Sequence, residues 1–316
     1  MNKKYIPIIL LIIAAALPFF AGNYMIHIFT TIFVFLSLSL SWDMMLRTGQ
    51  LSFGTAGFFG LGGYASALIV YHLGFNPIFS LLIGGLFAAL IAFGLGFIVL
   101  RLRDIYFAIT TLALTHVFRV VVQNLPDLTG GSSGTILKSS IFSGNSNKIY
   151  WLMLILTVIV ILISEWFKRS KIHFAINSIR NDETTAKSSG INVFKYLLFV
   201  FVITSAIQGV IGAAYAQQYA FVNPESTFSL NFLLLPIAMA LVGGIYTTNG
   251  PIIGALLLGL TSEYLKLLLP YGHRIVYGII IVVVVLFMPK GIFKPLKNKI
   301  FNNDIGGDYN AQSTGQ

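Results

Sequence analysis

The sequence predicts an all-α integral membrane protein with about ten transmembrane helices, and three observations carry that prediction. Only 9% of the 316 residues are charged and 56% are hydrophobic, against roughly 25% charge in an ordinary soluble domain. The apolar residues gather into runs of about 20, the length that crosses a bilayer as a helix. The charges fall in the gaps between those runs, where topology signals sit. A net charge of +10 would point to nucleic acid only if it formed a soluble basic patch. The basic residues are instead dispersed, so lipid is the expected surround and nucleic acid is not. There are no cysteines, which removes disulfides, thiolate metal sites and Cys nucleophiles. His27, His72, His116, His173 and His273 have no ligand-like spacing, and no metal is expected.

Taken in order, Lys3 and Lys4 precede a first apolar run at 5–22 that has the outline of a secretory signal. Cleavage after Ala21 or Gly22 would set Phe19 or Phe20 where a small residue is required, so this run is expected to remain as a span. Further spans are expected near 25–46, 52–72, 78–100, 105–123, 150–167, 196–218, 231–245, 251–269 and 273–288. An even number places both termini on one side. Lys3, Lys4, Arg47, Arg101, Arg103, six residues between 168 and 195, and Lys290, Lys294, Lys297 and Lys299 then share that side, fifteen of the twenty Lys and Arg. The excess of positive charge assigns it, with both termini, to the cytoplasm.

Several spans are rich in small residues. The third carries Gly54, Gly57, Gly60, Gly62 and Gly63, and the seventh carries Gly209 and Gly212 beside Ser205, Ala213 and Ala216. Small residues four apart let membrane helices approach closely, and the third is expected to be buried, short or broken. Gly60, Gly62 and Ala65 make a GxGxxA match, but it lacks the strand and acidic residue of a dinucleotide site. Pro236 should kink or shorten the eighth span. Gly243, Gly244, Gly250 and Pro251 interrupt the stretch that follows. Interrupted segments point either to a transport pathway or only to tight packing, and both readings stand. Glu263 with Lys266, and His116 with Arg119, each lie three apart near helix ends, which favours pairing or snorkelling over a polar path. Between 124 and 149 lies one long outer loop with the turn-forming sequence LTGGSSG.

The segment 168–195 is the longest water-compatible stretch of mixed charge. Asn181 or Asp182 is suited to cap a short helix with acidic charge in its first turn, and Gly190 to end it. Residues 1–300 are read as a single membrane domain, and 301–316, rich in Asn, Gly and Gln, as a disordered cytoplasmic tail. No GxxxxGK[ST] occurs, so ATP hydrolysis is not expected of this chain.

From about Leu46 to Lys290 the sequence resembles the larger permease subunit of bacterial ABC importers for branched-chain amino acids. The resemblance rests on LSFGTAGFFGLGGYASAL, LRLRDIYFAITTLAL, TGGSSG, GINVFKYLLFVFVITSAIQGVIGAAYA and LVGGIYTTNGPIIGALLL, taken in that order. The family pattern has Gly where Asp104 stands. AINSIRNDETTAKSSGINVFK is similar to the cytoplasmic coupling sequence of such permeases, with Thr184 and Thr185 in place of two alanines. The resemblance therefore implies a cytoplasmic coupling helix and ATPase-coupling roles for Arg180, Asn181, Asp182, Glu183, Thr184, Thr185, Ala186 and Gly190.

It also implies a second permease subunit, two ATP-binding subunits that use ATP and Mg, and an extracytoplasmic solute-binding protein. The location it implies is the prokaryotic cytoplasmic membrane. The solute would be a branched-chain or other hydrophobic amino acid, the nearest rival being urea, a short amide or another small solute. An ion-coupled secondary transporter would need an acidic site near the bilayer midplane, whereas Asp43, Glu165 and Glu263 all lie toward span ends. An intramembrane enzyme would need a nucleophile paired with a base, and no spacing supplies one.

Overall fold

A computed structural model describes residues 14–137, 140–268 and 278. Half of the first expected span, nearly all of the tenth, and the tail lie outside these residues. Helix α1 is described from 14 to 20. It is followed by α2 (Asn23–Leu46), α3 (Thr55–Leu73), α4 (Pro77–Val99), α5 (Asp104–Gln123), the short α6 (Pro126–Thr129) and α7 (Ser146–Arg169). Then come α8 (Lys171–Asn181), α9 (Glu183–Ser188), α10 (Val193–Tyr219), the short α11 (Pro224–Thr227), α12 (Asn231–Gly243) and α13 (Asn249–Leu268).

Among the described residues, seven helical stretches are long and apolar enough to cross a membrane, α11 and α12 counting together over Pro224–Gly243. Six match expected spans closely, and α3 runs unbroken for 19 residues despite its glycines. The eighth expected span differs. Helix α12 has 13 residues, about 20 Å of rise against a hydrocarbon core of roughly 30 Å, so it cannot cross alone. It passes through Pro236 and ends at Gly243 and Gly244. A short helix can lack one internal bond where its neighbours bury the gap.

Helix α2 is the axis of the bundle. It is buried from Ile26 to Met45 with few exceptions, and α7, α10, α12 and α13 pack around it. Helices α3 and α4 form a second layer against α10. That layer depends on glycine: a Cβ on Gly62 would overlap the backbone of Gly209, and one on Gly212 would overlap the carbonyl of Phe59. Each glycine costs an isolated helix about 1 kcal/mol relative to alanine, which the close backbone contact must offset. Phe59, stacked on Phe232 with ring centroids 4.1 Å apart, ties this layer to α12.

The two ends of the bundle are distinct. At one end, β1 (Thr135–Ile136) pairs antiparallel with β2 (Phe221–Val222), and His72 Nε2 lies 3.0 Å from the carbonyl of Leu128. The expected outer loop is thus built of short ordered pieces, turning on Gly130, Gly131 and Gly134 at positive φ. At the other end lie the α2–α3, α4–α5 and α12–α13 turns together with α8 and α9. Asp104 opens α5 at φ +51°, the left-handed region that glycine enters freely and Asp better than most residues. This is the position at which the family pattern has glycine. A β-branched residue there should be strained by about 1–2 kcal/mol, so Asp104→Val is expected to lower the thermal unfolding midpoint in detergent, with Asp104→Asn near neutral.

Candidate functional site

The stretch 168–195 is a pair of short helices rather than one. Helix α8 turns one face to the bundle, burying Ala175, Ile176 and Ile179. Each buried isoleucine contributes about 1.5–3 kcal/mol, enough to fix an eleven-residue helix that would be marginal alone. Its other face exposes Phe174, 74% accessible, with Ser178 and Asn181 at helical spacing from it. The chain then turns extended at Asp182. Asp182 Oδ1 accepts from the amides of Thr184 and Thr185 at 2.8 and 3.2 Å, and Thr185 Oγ1 donates to Asp182 Oδ2 at 2.7 Å. These bonds, the Thr185 hydroxyl first, hold the Asp182 carboxyl below its usual range. Of the two expected capping residues, Asp182 is the cap of α9, and Asn181 closes α8. Ala186 is the buried foot of α9, and Gly190 follows the helix at φ +80°. A shallow pocket of about 250 Å³ lies between the helices, lined by Ser178, Asn181, Asp182, Thr185, Ala186 and Ser189.

Arg180 and Glu183 join this helix pair to the membrane helices. Glu183 accepts two bonds from the Arg103 guanidinium, at 2.7 and 3.0 Å, and pairs with Lys187 at 2.9 Å. Those donors, Arg103 foremost, hold the Glu183 carboxyl below its usual range, so it stays ionised at neutral pH. Arg103 caps α5, so this contact reaches the α4–α5 turn. The Arg180 guanidinium lies 4.3 Å from the ring centroid of Tyr246 in the α12–α13 turn. Its backbone and stem lie against Gly49 in the α2–α3 turn, where a Cβ would meet them at 3.4 Å. Two residues three apart thereby touch all three turns at this end of the bundle.

Beneath Arg180 is a buried ion pair. Asp43 is fully buried and Arg47 is 2% exposed, with their charged groups 2.8 Å apart one helical turn from each other. Arg47 Nη2 also donates to Ser164 Oγ at 3.0 Å, and Ser164 Oγ contacts Thr248 Oγ1 at 3.0 Å. The amide of Tyr246 donates to Asp43 Oδ1 at 2.6 Å. Tyr246 holds φ +65°, a conformation that costs a non-glycine residue about 1–2 kcal/mol. Sequence reasoning did not single out Asp43, Arg47, Arg103 or Tyr246 as site residues. The Asp–Arg spacing of four at the end of an apolar run was the available signal.

The glycines lie elsewhere. Gly54 begins α3, Gly57 packs on Thr115, Gly60 on the ring of Phe228, and Gly63 beside Gly212. Gly243, Gly250 and the chain through Gly244 bring α12 and α13 into backbone contact, with Pro251 buried at the start of α13. Only this last group adjoins the α8–α9 contacts, through Tyr246.

The family model described as branched-chain amino acid transport system, permease component, matches residues 24–285. The chain is 28% identical to the high-affinity branched-chain amino acid transport system permease protein LivM of Escherichia coli K12, over 92% of this chain and 75% of that one. It is 25% identical to LivH, named a permease protein of the same kind of system, from Salmonella typhimurium, over 77% of this chain and 85% of that one. It is 24% identical to the ribose import permease protein RbsC of Haemophilus influenzae, over 90% and 92% of the two chains. No solved structure matches the chain.

Proposed function

The chain belongs to the family of branched-chain amino acid transport system permease components, and on that premise we propose that it forms half of the translocation pathway of an ATP-driven importer in a prokaryotic cytoplasmic membrane. A related permease would supply the other half, as the similarity to both LivM and LivH suggests. Two further subunits would bind ATP with Mg, and an extracytoplasmic binding protein would deliver the solute. Branched-chain or other hydrophobic amino acids are the proposed cargo. The similarity to a permease named for ribose supports assigning selectivity to the binding protein rather than to the shared helical scaffold.

The observation that carries this reading is the reach of α8 and α9 to three turns through Arg180 and Glu183. An ATP-binding subunit seated on the Phe174, Asn181 and Thr185 face would move these helices, and each contact would convey the motion to a different pair of membrane helices. The cap at Asp182 and the buried Ala186 support reading the segment as a lever. The distribution of Lys and Arg supports a cytoplasmic location for the termini and this face.

A charge exchange tests the lever. Arg103→Glu and Glu183→Arg each set like charges face to face, and each should reduce ATP-dependent uptake by about fivefold to tenfold, since like-charge contacts are strongly unfavourable. The double exchange should restore most of it, because coupling between touching residues appears as non-additivity. Uptake by the singles equal to that of the wild type would remove Glu183 from the transmission.

A further inference from the structure

The turn between α12 and α13 is clasped at two points. Tyr246 is held through its amide by Asp43, and Thr248 is held through Ser164, which also binds Arg47. Asp43 and Arg47 are buried and paired with each other, so the clasp is anchored on α2. Its accessible side is the Tyr246 ring, under the Arg180 guanidinium of α8.

Tyr246 is an uneconomical residue for this turn. At φ +65° a glycine would sit without strain, and would make the same amide bond to Asp43. What tyrosine adds is a π face for a cation. Such strain persists only where the surroundings over-determine it, and it is a feature of switch regions.

We propose that Tyr246 is the positioning residue through which α8 sets the α12–α13 turn, with Arg180 stacked on its ring holding the turn in its strained form against Asp43. When α8 withdraws Arg180, the ring loses its partner, the backbone of Tyr246 relaxes, and the turn leaves Asp43. Helices α12 and α13, both packed on α2, then shift along it. This role rests on the reading of α8 and α9 as the ATPase-facing segment.

The test uses the complete importer in proteoliposomes, measuring solute uptake and ATP hydrolysis in the same vesicles for wild type, Tyr246→Phe, Tyr246→Gly and Tyr246→Leu. Phenylalanine keeps the π face and should preserve the ratio of uptake to hydrolysis within about twofold. Glycine should fold with an unchanged or higher melting temperature, hydrolyse ATP, and lose uptake per ATP by about tenfold, within the 5- to 150-fold range of intramolecular coupling. Leucine keeps bulk without the π face and should be uncoupled likewise, which preserves the test if the glycine protein does not assemble. A wild-type ratio in the glycine or leucine protein would overturn the proposal, as would uncoupling by phenylalanine. ATP-independent uptake by the wild-type complex would overturn the importer reading itself, and that failure is visible in the wild-type vesicles alone.

Discussion

Replacing Gly212 with valine is expected to destabilise the folded bundle severely. A Cβ at this position would overlap the carbonyl of Phe59 on the facing helix, and backbone cannot rotate aside as the end of a side chain can. Overpacking a core typically costs 1–3 kcal/mol, with larger values where nothing yields, and a membrane domain has about 5–15 kcal/mol to lose. Relief would require α3 and α10 to separate, which would also disturb the stacking of Phe59 on Phe232. The effect should be read as loss of the monodisperse peak in size-exclusion chromatography of detergent extracts. Gly94→Val is the matched control. It also places valine on a membrane helix, but nothing lies within 4 Å of a Cβ there, and its peak should be retained.

Breaking the buried pair has the second large effect. In Arg47→Met the Asp43 carboxylate loses its partner while remaining fully buried, and removing one member of such a pair costs about 3–5 kcal/mol. Its remaining bond from the Tyr246 amide does not neutralise the charge. Asp43→Asn combined with Arg47→Met removes both charges and keeps an acceptor for that amide, so the double variant should recover most of the loss. Replacing a whole buried pair by uncharged residues is often near neutral. Unfolding midpoints of the two singles and the double, compared as a cycle, check this. A double variant as unstable as the sum of the singles would mean that the pair is not an energetic unit.

What could be read from the sequence was local. Apolar length located six spans within a few residues, because hydropathy needs no partner. The cap at Asp182 and the end at Gly190 were legible for the same reason, since both are built from neighbouring backbone. What that helix touches was not. Glu183 and Arg103 are 80 residues apart, and Asp43 and Tyr246 are 203 apart. Glycine announced close approach without naming what approaches, so Gly62 facing Gly209 and Gly243 facing Gly250 emerge only in three dimensions. The eighth span, expected at 231–245, instead runs from Pro224 to Gly243 as α11 and α12 together, because Leu241 to Tyr246 remain apolar while the helix ends at Gly243, where the backbone turns. The charge distribution marks Arg47 as a topology signal, yet it is buried against Asp43. A residue at a span end serves either purpose, and only packing separates them.

In the proposed importer this chain transports under the control of ATP through α8 and α9. The most direct measurement is uptake of labelled leucine into proteoliposomes containing this chain, a partner permease and two ATP-binding subunits, with the binding protein outside and ATP inside or omitted. Uptake is expected to require both ATP and the binding protein, and to disappear when residues 180–190 become a Gly-Ser linker. Uptake by this chain alone, driven by an ion gradient without ATP, would contradict it.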